Sequence, residues 1–216
     1  KINLAKLRSI LNSDFCPIYD PFLTYCNSLP LWDGETDYIK QLSQTVTTTQ
    51  PEQWELCFRK WLVAMVGSVL EPKIINHTAI IFTGKQGVGK TTWMEGLVPQ
   101  RLRDHLFSGT IRPNDKDTLI LLSECMLINL DELENLKKSE IGFLKELITK
   151  TFIKMRRVYG RNNERMNRNA SFSGSVNNLQ FLNDTTGSRR FLCFEVLAIE
   201  YLHGMDINLV LAQAMY

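Results

Sequence analysis

The octapeptide Gly84-Lys85-Gln86-Gly87-Val88-Gly89-Lys90-Thr91 matches the pattern G-x-x-x-x-G-K-[ST], in which a glycine-rich loop surrounds phosphate groups. The largely apolar residues 78–83 precede it and are typical of a buried strand. Residues 91–98 follow it and resemble the first turns of a helix. A strand, this loop and a helix in that order predict a phosphate-binding loop in an α/β domain. The alternative is a glycine-rich turn that carries an incidental lysine.

Glycines in such a loop let backbone N–H groups turn toward a phosphate chain, and the helix N-terminus adds its dipole. Lys90 is predicted to reach the β- and γ-phosphates, and the hydroxyl of Thr91 to hold Mg²⁺. The predicted ligands are therefore ATP and Mg²⁺. The predicted nucleotide-binding residues are Gly84, Lys85, Gln86, Gly87, Val88, Gly89, Lys90, Thr91 and Thr92.

The composition is that of an ordinary globular protein, since the 216 residues are 44% hydrophobic and 22% charged. A net charge of +2 does not by itself indicate a nucleic-acid partner. The longest apolar run, residues 61–70, is too short to cross a bilayer, so we predict no membrane partner. The cysteines are scattered, odd in number and without a C-x-x-C pair, which favours buried thiols in a reducing, cytoplasmic compartment; they are Cys16, Cys26, Cys57, Cys125 and Cys193.

Residues 1–73 are predicted to form a helical N-terminal module. Helices are expected over 1–12, from Asp20-Pro21, and from Thr36 or Asp37 with Val46 on the same helix. The strongest helical pattern begins at Pro51 and ends before Pro72. The chain opens without a signal peptide at Lys1 and closes within a helix-like stretch, so we expect it to be a piece of a longer protein.

Residues 74–216 are predicted to form the nucleotide-binding core. Strands are expected at 78–83, 104–111, 125–130, 170–176 and 190–196. Helices are expected at 115–123, from a Ser139 cap to about residue 150, and at 207–216. Strands that alternate with helices in this way predict a mostly parallel sheet covered on both faces.

Two carboxylates, Asp131 and Glu132, follow the apolar strand predicted over 125–130. The carboxyl ends of parallel strands meet at one edge of a sheet, so these groups are expected beside the glycine-rich loop. Asp131 is predicted to hold Mg²⁺, directly or through water, and Glu132 to orient and deprotonate an attacking water. The pair favours hydrolysis, although two acids at a strand end are often merely solvated.

Asn177 directly follows the candidate strand at 170–176, and Arg189 and Arg190 stand before the last one. The carboxamide of Asn177 could hold the attacking water or contact the γ-phosphate, or it could belong to an ordinary turn. The two arginines could be a solvated edge, or they could supply an arginine finger to the γ-phosphate of a neighbouring subunit.

A basic stretch lies between these motifs and has a single acid, Glu164. Gly160 and the two asparagines that follow allow a hairpin tip. The basic groups would contact phosphates of single-stranded DNA, and an aromatic ring would stack on a base, against the alternative of a solvated surface. The predicted DNA-binding residues are Lys154, Arg156, Arg157, Tyr159 and Arg161, and the basic stretch continues through Arg165 to Arg168.

These motifs, in this order, resemble the virulence-associated protein E family of phage and plasmid replication proteins, which is similar to superfamily 3 helicases within the AAA+ group. The resemblance runs from about residue 20 to residue 196. Its carriers are residues 29–34 (LPLWDG), the glycine-rich loop, Asp131-Glu132, Arg157 with Tyr159-Gly160-Arg161, and residues 181–191 (FLNDTTGSRRF), of which the last is the most specific.

The resemblance implies an α/β P-loop ATPase fold, with Lys90 and Thr91 as the Walker A pair and Asp131 and Glu132 as Walker B. Asn177 would be the sensor, and Arg189 or Arg190 the finger. The implied function is an ATP-driven, helicase-like motor for replication of a phage, plasmid or mobile element, working as a homo-oligomeric ring, a hexamer in the full-length protein, with a fused or associated primase. Two alternatives stay open: an ATPase switch or loader that does not unwind DNA, and a nucleotide-gated DNA-binding module.

Overall fold

The chain is described from a computed structural model. The structure describes residues 3–11, 13, 15, 19–112, 115–131, 133, 136–156, 162–177 and 188–216. The predicted site residues Glu132, Arg157, Tyr159 and Arg161 lie outside these ranges, as do Cys16 and most of the FLNDTTGSRRF stretch.

The helices occur where the sequence pattern placed them, with small shifts of their ends. No helix in the described ranges is both long and apolar enough to cross a membrane. The α-helices are α1 Leu4–Leu11, α2 Pro21–Cys26, α3 Tyr38–Gln44, α4 Pro51–Leu70, α5 Lys90–Gly96, α6 Lys116–Glu124, α7 Lys138–Thr149 and α8 Ile207–Ala214, with 3₁₀ turns at Gln100–His105 and Ser188–Arg190.

A six-stranded sheet lies at the centre, in the order β1-β8-β2-β7-β4-β3. Every neighbouring pair in it is parallel except β1 with β8, so the predicted mostly parallel α/β sheet is confirmed. A separate antiparallel hairpin joins β5 and β6. The strands are β1 Val46–Thr48, β2 Ala79–Thr83, β3 Leu106–Gly109, β4 Leu127–Leu130, β5 Phe152–Met155, β6 Glu164–Asn167, β7 Ser171–Val176 and β8 Phe191–Ile199.

Strand β2 is buried along its whole length because both faces of the sheet are covered. Ile80 and Phe82 pack into one core cluster with residues of α2, α3, α4, α5 and α8. Ala79 and Ile81, which point the other way, pack into a second cluster with residues of α6, α7 and the β5–β6 hairpin. The first cluster contains residues of both the predicted N-terminal module (1–73) and the predicted nucleotide-binding core (74–216).

The prediction that places Val46 on a helix is wrong. Helix α3 ends at Gln44, and Val46 begins strand β1, where it pairs with Ile199 of β8. The β-branched run Val-Thr-Thr favours an extended backbone once a partner strand is present, and Ile199, the partner of Val46, is 153 residues away in sequence. For the same reason β8 extends three residues beyond its predicted end at residue 196.

The ends of helices α4 and α7 show which local sequence signals were sufficient to predict a helix boundary. Helix α4 begins at Pro51 and ends at Leu70, and Glu71, which precedes Pro72, is extended as expected for a residue before proline. Helix α7 begins one residue before the predicted cap Ser139, so that cap is wrong. The side chain of Glu140 accepts a 2.7 Å hydrogen bond from the backbone N–H of Lys137 and thereby satisfies the helix start.

The LPLWDG segment forms a turn that leads into α3. Asp33 accepts hydrogen bonds from the N–H groups of Glu35 and Thr36, and Trp32 donates its indole N–H to the carbonyl of Thr36 at 2.8 Å. The ring of Trp32 also packs edge-on against Tyr216. This turn therefore fixes the start of α3 and ties it to the last residue of the chain.

Candidate functional site

The glycine-rich loop joins β2 to α5 and turns through three residues with positive φ, at Gly84, Gly87 and Gly89. A Cβ atom at Gly84 would lie 2.7 Å from the carbonyl oxygen of Val196. One at Gly89 would lie 2.4 Å from Cδ1 of Tyr201. Both the backbone conformation and the lack of space therefore require glycine at these two positions.

Lys90 is the first residue of α5 and is 7% exposed. Its ammonium group donates hydrogen bonds of 2.8 Å to the carbonyl oxygens of Gly84 and Lys85. The lysine therefore crosses back over the loop that precedes it.

Thr91, Asp131 and Ser175 meet at a single carboxylate oxygen. The hydroxyl of Thr91 donates to Oδ1 of Asp131 at 2.9 Å, and the hydroxyl of Ser175 donates to the same oxygen at 3.3 Å. The three residues come from α5, the end of β4 and strand β7, which are neighbours because β4 and β7 pair in parallel. A hydroxyl and a carboxylate in contact form the kind of oxygen ligand set that Mg²⁺ prefers.

A second polar layer lies two residues earlier on the same strands. The hydroxyl of Ser173 donates to Oδ1 of Asn129 at 2.8 Å, and the Asn129 amide donates to Ser108 at 3.2 Å. Asn129 and Ser173 are fully buried. Sequence reasoning assigned no role to Ser173, Ser175 or Asn129, although polar residues at alternate positions of an apolar strand were a usable signal.

A cavity of about 450 Å³ opens beside these groups. It brings together the predicted Lys90, Thr91, Thr92, Asp131 and Asn177, and it adds Ser175 and Tyr201. Of the predicted loop residues, Gln86, Gly87 and Gly89 also line it, whereas Gly84 and Lys85 contribute carbonyls to Lys90. The lining is Gln86, Gly87, Gly89, Lys90, Thr91, Thr92, Asp131, Ser175, Asn177 and Tyr201.

Arg189 and Arg190 lie at the amino-terminal end of the parallel strands, whereas the cavity lies at their carboxyl end. They immediately precede β8, whose first residue, Phe191, pairs with Ala79 at the start of β2. The glycine-rich loop begins after the last residue of β2, so the arginines and the loop are separated by the length of the strand, roughly 16 Å. Arg189 is exposed and Arg190 is half-buried.

The β5–β6 hairpin carries the described part of the basic stretch. Ile153 and Met166 pack into the core, and the other face exposes Lys154 directly opposite Arg165. The Arg165 guanidinium lies 4.4 Å from the ring centroid of Phe152. Like charges placed opposite one another destabilise a hairpin, so Lys154 and Arg165 repel each other across this face.

Arg168 does not belong to that exposed face, and its inclusion in the basic stretch is wrong. It is 1% exposed and donates two hydrogen bonds of 3.1 Å to the carbonyl oxygen of Asn76. Burial lowers the pKa of its guanidinium to about 10. Arg168 therefore holds the segment before β2 against the segment before β7. Burial also raises the pKa of the Cys125 and Cys193 thiols to about 12, which favours their protonated form.

Comparison with known proteins places these features in a family. The model of the virulence-associated protein E-like domain matches residues 26–215. Two solved structures of the NrS-1 C-terminal region, both apo, superpose with TM-scores of 0.56 at 18% and 16% identity. Each alignment covers 88% of this chain, and the chain spans 44% and 46% of those structures, less than half of each. No curated protein matches the chain.

Proposed function

Because this chain belongs to the virulence-associated protein E-like family, we propose that it is the ATP-hydrolysing P-loop domain of a helicase-like replication motor. The proposal rests on one observation above all. Thr91, which follows the glycine-rich loop and Lys90, hydrogen-bonds to Asp131 at the mouth of a cavity large enough for a ligand. A phosphate-binding loop beside a carboxylate at a strand end is the arrangement that triphosphate hydrolysis uses.

In this proposal different residues of the chain bind the phosphates and the metal ion. The loop backbone and Lys90 bind the β- and γ-phosphates of ATP, while Thr91 and Asp131 hold Mg²⁺. Ser175 keeps the Asp131 carboxylate turned toward Thr91 through their shared oxygen. When bound, Mg²⁺ would neutralise negative charge on the β- and γ-phosphates.

Hydrolysis requires a base and groups that orient water. We assign the base to Glu132, which follows Asp131 directly in sequence, and the orienting role to Asn177, which lines the cavity. A carboxylate that accepts the proton of an attacking water needs to lie within hydrogen-bond reach of that water. Glu132→Gln should therefore keep nucleotide binding and stop turnover.

The proposed motor is a homo-oligomer in which each subunit completes its neighbour's site. Arg189 and Arg190 lie one strand length away from the cavity of their own subunit. An arginine finger that precedes β8 can therefore serve only a site on another subunit, as a ring, hexameric in the full-length protein, would place it. A fused or associated primase belongs to the same proposal.

The proposed nucleic-acid partner is single-stranded DNA. The exposed face of the β5–β6 hairpin presents Lys154, Arg165 and the ring of Phe152, with Arg156 just beyond β5. Basic groups that contact phosphates beside an aromatic ring form a common single-strand binding surface. The predicted Arg157, Tyr159 and Arg161 lie between β5 and β6 in sequence.

The test is the ATPase rate as a function of protein concentration, with and without single-stranded DNA, using Glu132→Gln as the inactive reference. We expect a rate per subunit that rises with concentration and is stimulated by DNA. Stimulated hydrolysis without strand separation by the full-length protein would favour a switch or loader. Absence of turnover in the assembled protein would overturn the ATPase and leave a nucleotide-gated DNA-binding module.

A further inference from the structure

Strand β8 does not stop at the edge of the sheet but continues alongside the glycine-rich loop. Its pairing with β2 ends at Glu195, opposite Thr83, and the strand runs on to Ile199. Along this extension the carbonyl of Val196 lies against Gly84, and just after the strand ends the ring of Tyr201 lies against Gly89. The end of β8 therefore forms one wall of the loop.

The backbone just before Tyr201 is anchored to Thr45. The N–H of Glu200, the residue before Tyr201, donates a 2.8 Å hydrogen bond to the carbonyl of Thr45. The hydroxyl of Thr45 accepts a 2.8 Å hydrogen bond from the indole N–H of Trp93 in α5. One residue thus ties the segment that carries Tyr201 to the helix that begins with Lys90.

The ring of Tyr201 differs in chemistry from the rest of the cavity wall. Among the described residues that line the cavity, Tyr201 supplies the aromatic ring, and the others are glycines or carry polar side chains. Tyr201 is 44% exposed, so part of its ring is open to a ligand in the cavity. A polar chamber with one open aromatic ring fits a ligand that has a charged end and a flat end.

Sheet order sets the direction in which such a ligand would lie. Asp131 follows β4, and Tyr201 follows β8, with β7 and β2 between those strands. Three strand spacings amount to about 14 Å across the edge of the sheet. A nucleoside triphosphate whose Mg²⁺-binding phosphates lie toward Asp131 therefore extends its base toward Tyr201.

We propose that Tyr201 is the platform on which the base of the nucleotide stacks, an inference that rests on the proposed nucleotide site. Stacking uses the π-face that every base has, and the phenol ring does not discriminate base edges. Tyr201 therefore contributes affinity for nucleoside triphosphates as a class. ATP and GTP should both gain from it, whereas inorganic tripolyphosphate, which lacks a base, should gain nothing.

The test compares dissociation constants for Mg²⁺ complexes of ATP, GTP and tripolyphosphate, in the wild-type chain and in Tyr201→Ala. We expect Tyr201→Ala to weaken ATP and GTP by roughly tenfold to a hundredfold and to leave tripolyphosphate unchanged. Tyr201→Phe should bind as the wild type does. In Tyr201→Trp, ATP but not tripolyphosphate should change the additional indole fluorescence. Leu202→Ala is the matched control, because Leu202 is the next residue and is 80% exposed.

The possible failures can be told apart. If ATP binds in a Lys90-dependent manner but Tyr201→Ala binds it equally well, the stacking role is wrong and the nucleotide site stands. If Tyr201→Ala weakens tripolyphosphate as much as ATP, the ring merely supports the Gly89 backbone, and stacking is again excluded. If the wild-type chain binds neither ATP nor tripolyphosphate, the proposed nucleotide site itself is overturned, and the stacking role with it.

Discussion

The hydroxyl of Thr91 donates a 2.9 Å hydrogen bond to Oδ1 of Asp131, a residue 40 positions later in the chain. Thr91 lies in the first turn of α5, and Asp131 directly follows β4. The contact exists because β7, which pairs with β2 on one side and β4 on the other, brings their carboxyl ends to one edge. It brings a hydroxyl oxygen from the first turn of α5 and a carboxylate oxygen from the end of β4 to the same point.

Asp131→Asn should remove the contribution of Mg²⁺ to nucleotide affinity. The neutral amide loses the charge that a divalent cation requires, while the shape of the site is kept. Ser175→Ala, which leaves Asp131 charged but less well oriented, should weaken Mg²⁺-dependent binding by about tenfold to a hundredfold. The measurement is ATP affinity with Mg²⁺ and with chelator. Equal Mg²⁺ dependence in Asp131→Asn and in the exposed-site control Asp104→Asn would contradict the metal assignment.

Lys90→Ala should abolish ATP binding or weaken it severely, because the ammonium that bridges the carbonyls of Gly84 and Lys85 also attracts the phosphates. Titration calorimetry with ATP measures the effect, and thermal unfolding shows whether the fold survives. Lys73→Ala removes an equal charge from an exposed site on the segment after α4 and should bind normally. Wild-type affinity in Lys90→Ala would rule out a phosphate-binding role for this loop.

Replacing Lys154 and Arg165 together by Ala should weaken binding of single-stranded DNA and make it less dependent on salt. Each lost phosphate contact lowers the log–log salt slope by about 0.7 for single strands, so two contacts amount to about 1.4. Fluorescence anisotropy over a salt series measures the slope. The control is Lys60→Ala with Lys73→Ala, which removes two charges at exposed positions on or just after α4, whose core contacts lie on the other face of the sheet. Equal salt slopes for the two double variants would show that the exposed face of the hairpin is a solvated surface that does not bind DNA.

A variant that lacks both Arg189 and Arg190 should bind ATP normally and hydrolyse it slower by on the order of a thousandfold or more. Mixing it with Lys90→Ala, which is also inactive alone, should restore part of the activity, since some interfaces then join an intact loop to an intact arginine. Steady-state ATPase of the full-length protein is the measurement. Mixtures that stay inactive while subunits demonstrably exchange would count against a finger acting between subunits.

Asp37 should make the stability of the fold depend on pH in the acid range. Partial burial alone would raise the pKa of its carboxyl, but hydrogen bonds from the Lys40 N–H, Gln213 and Arg59 outweigh burial and lower the pKa below its ordinary 3.8. Stabilisation by Asp37 is therefore complete above that ordinary value and is lost as pH falls through the lowered pKa.

Asp37→Ala should cost about 1 kcal/mol at neutral pH, because Asp37 also caps α3. The free energy of unfolding, measured from neutral to acid pH, should show this difference shrinking as the wild-type carboxyl is protonated. Asp117→Ala, at an exposed acid in the first turn of α6, is the comparison. A difference that stays constant down to strongly acid pH would show that the charge of Asp37 does not contribute.

The sequence by itself was sufficient for the strand, loop and helix around Lys90, for the helix that starts at Pro51, and for Asp131 at the end of its strand. These features depend on local causes: glycines that permit positive φ, proline and caps that begin helices, and apolar runs that must be buried. Residues within one turn or one strand settle such questions without reference to the rest of the chain.

Only the tertiary structure decided what depends on distant pairing. Val46 lies in a strand because it pairs with β8. Arg168 is buried and not part of the basic surface because it donates hydrogen bonds to the carbonyl of Asn76. Ser175 and Tyr201 joined the cavity because β7 and β8 flank β2. The order of strands in the sheet depends on the packing of the whole chain. The local sequence around a residue therefore does not show which residues of other strands will lie beside it.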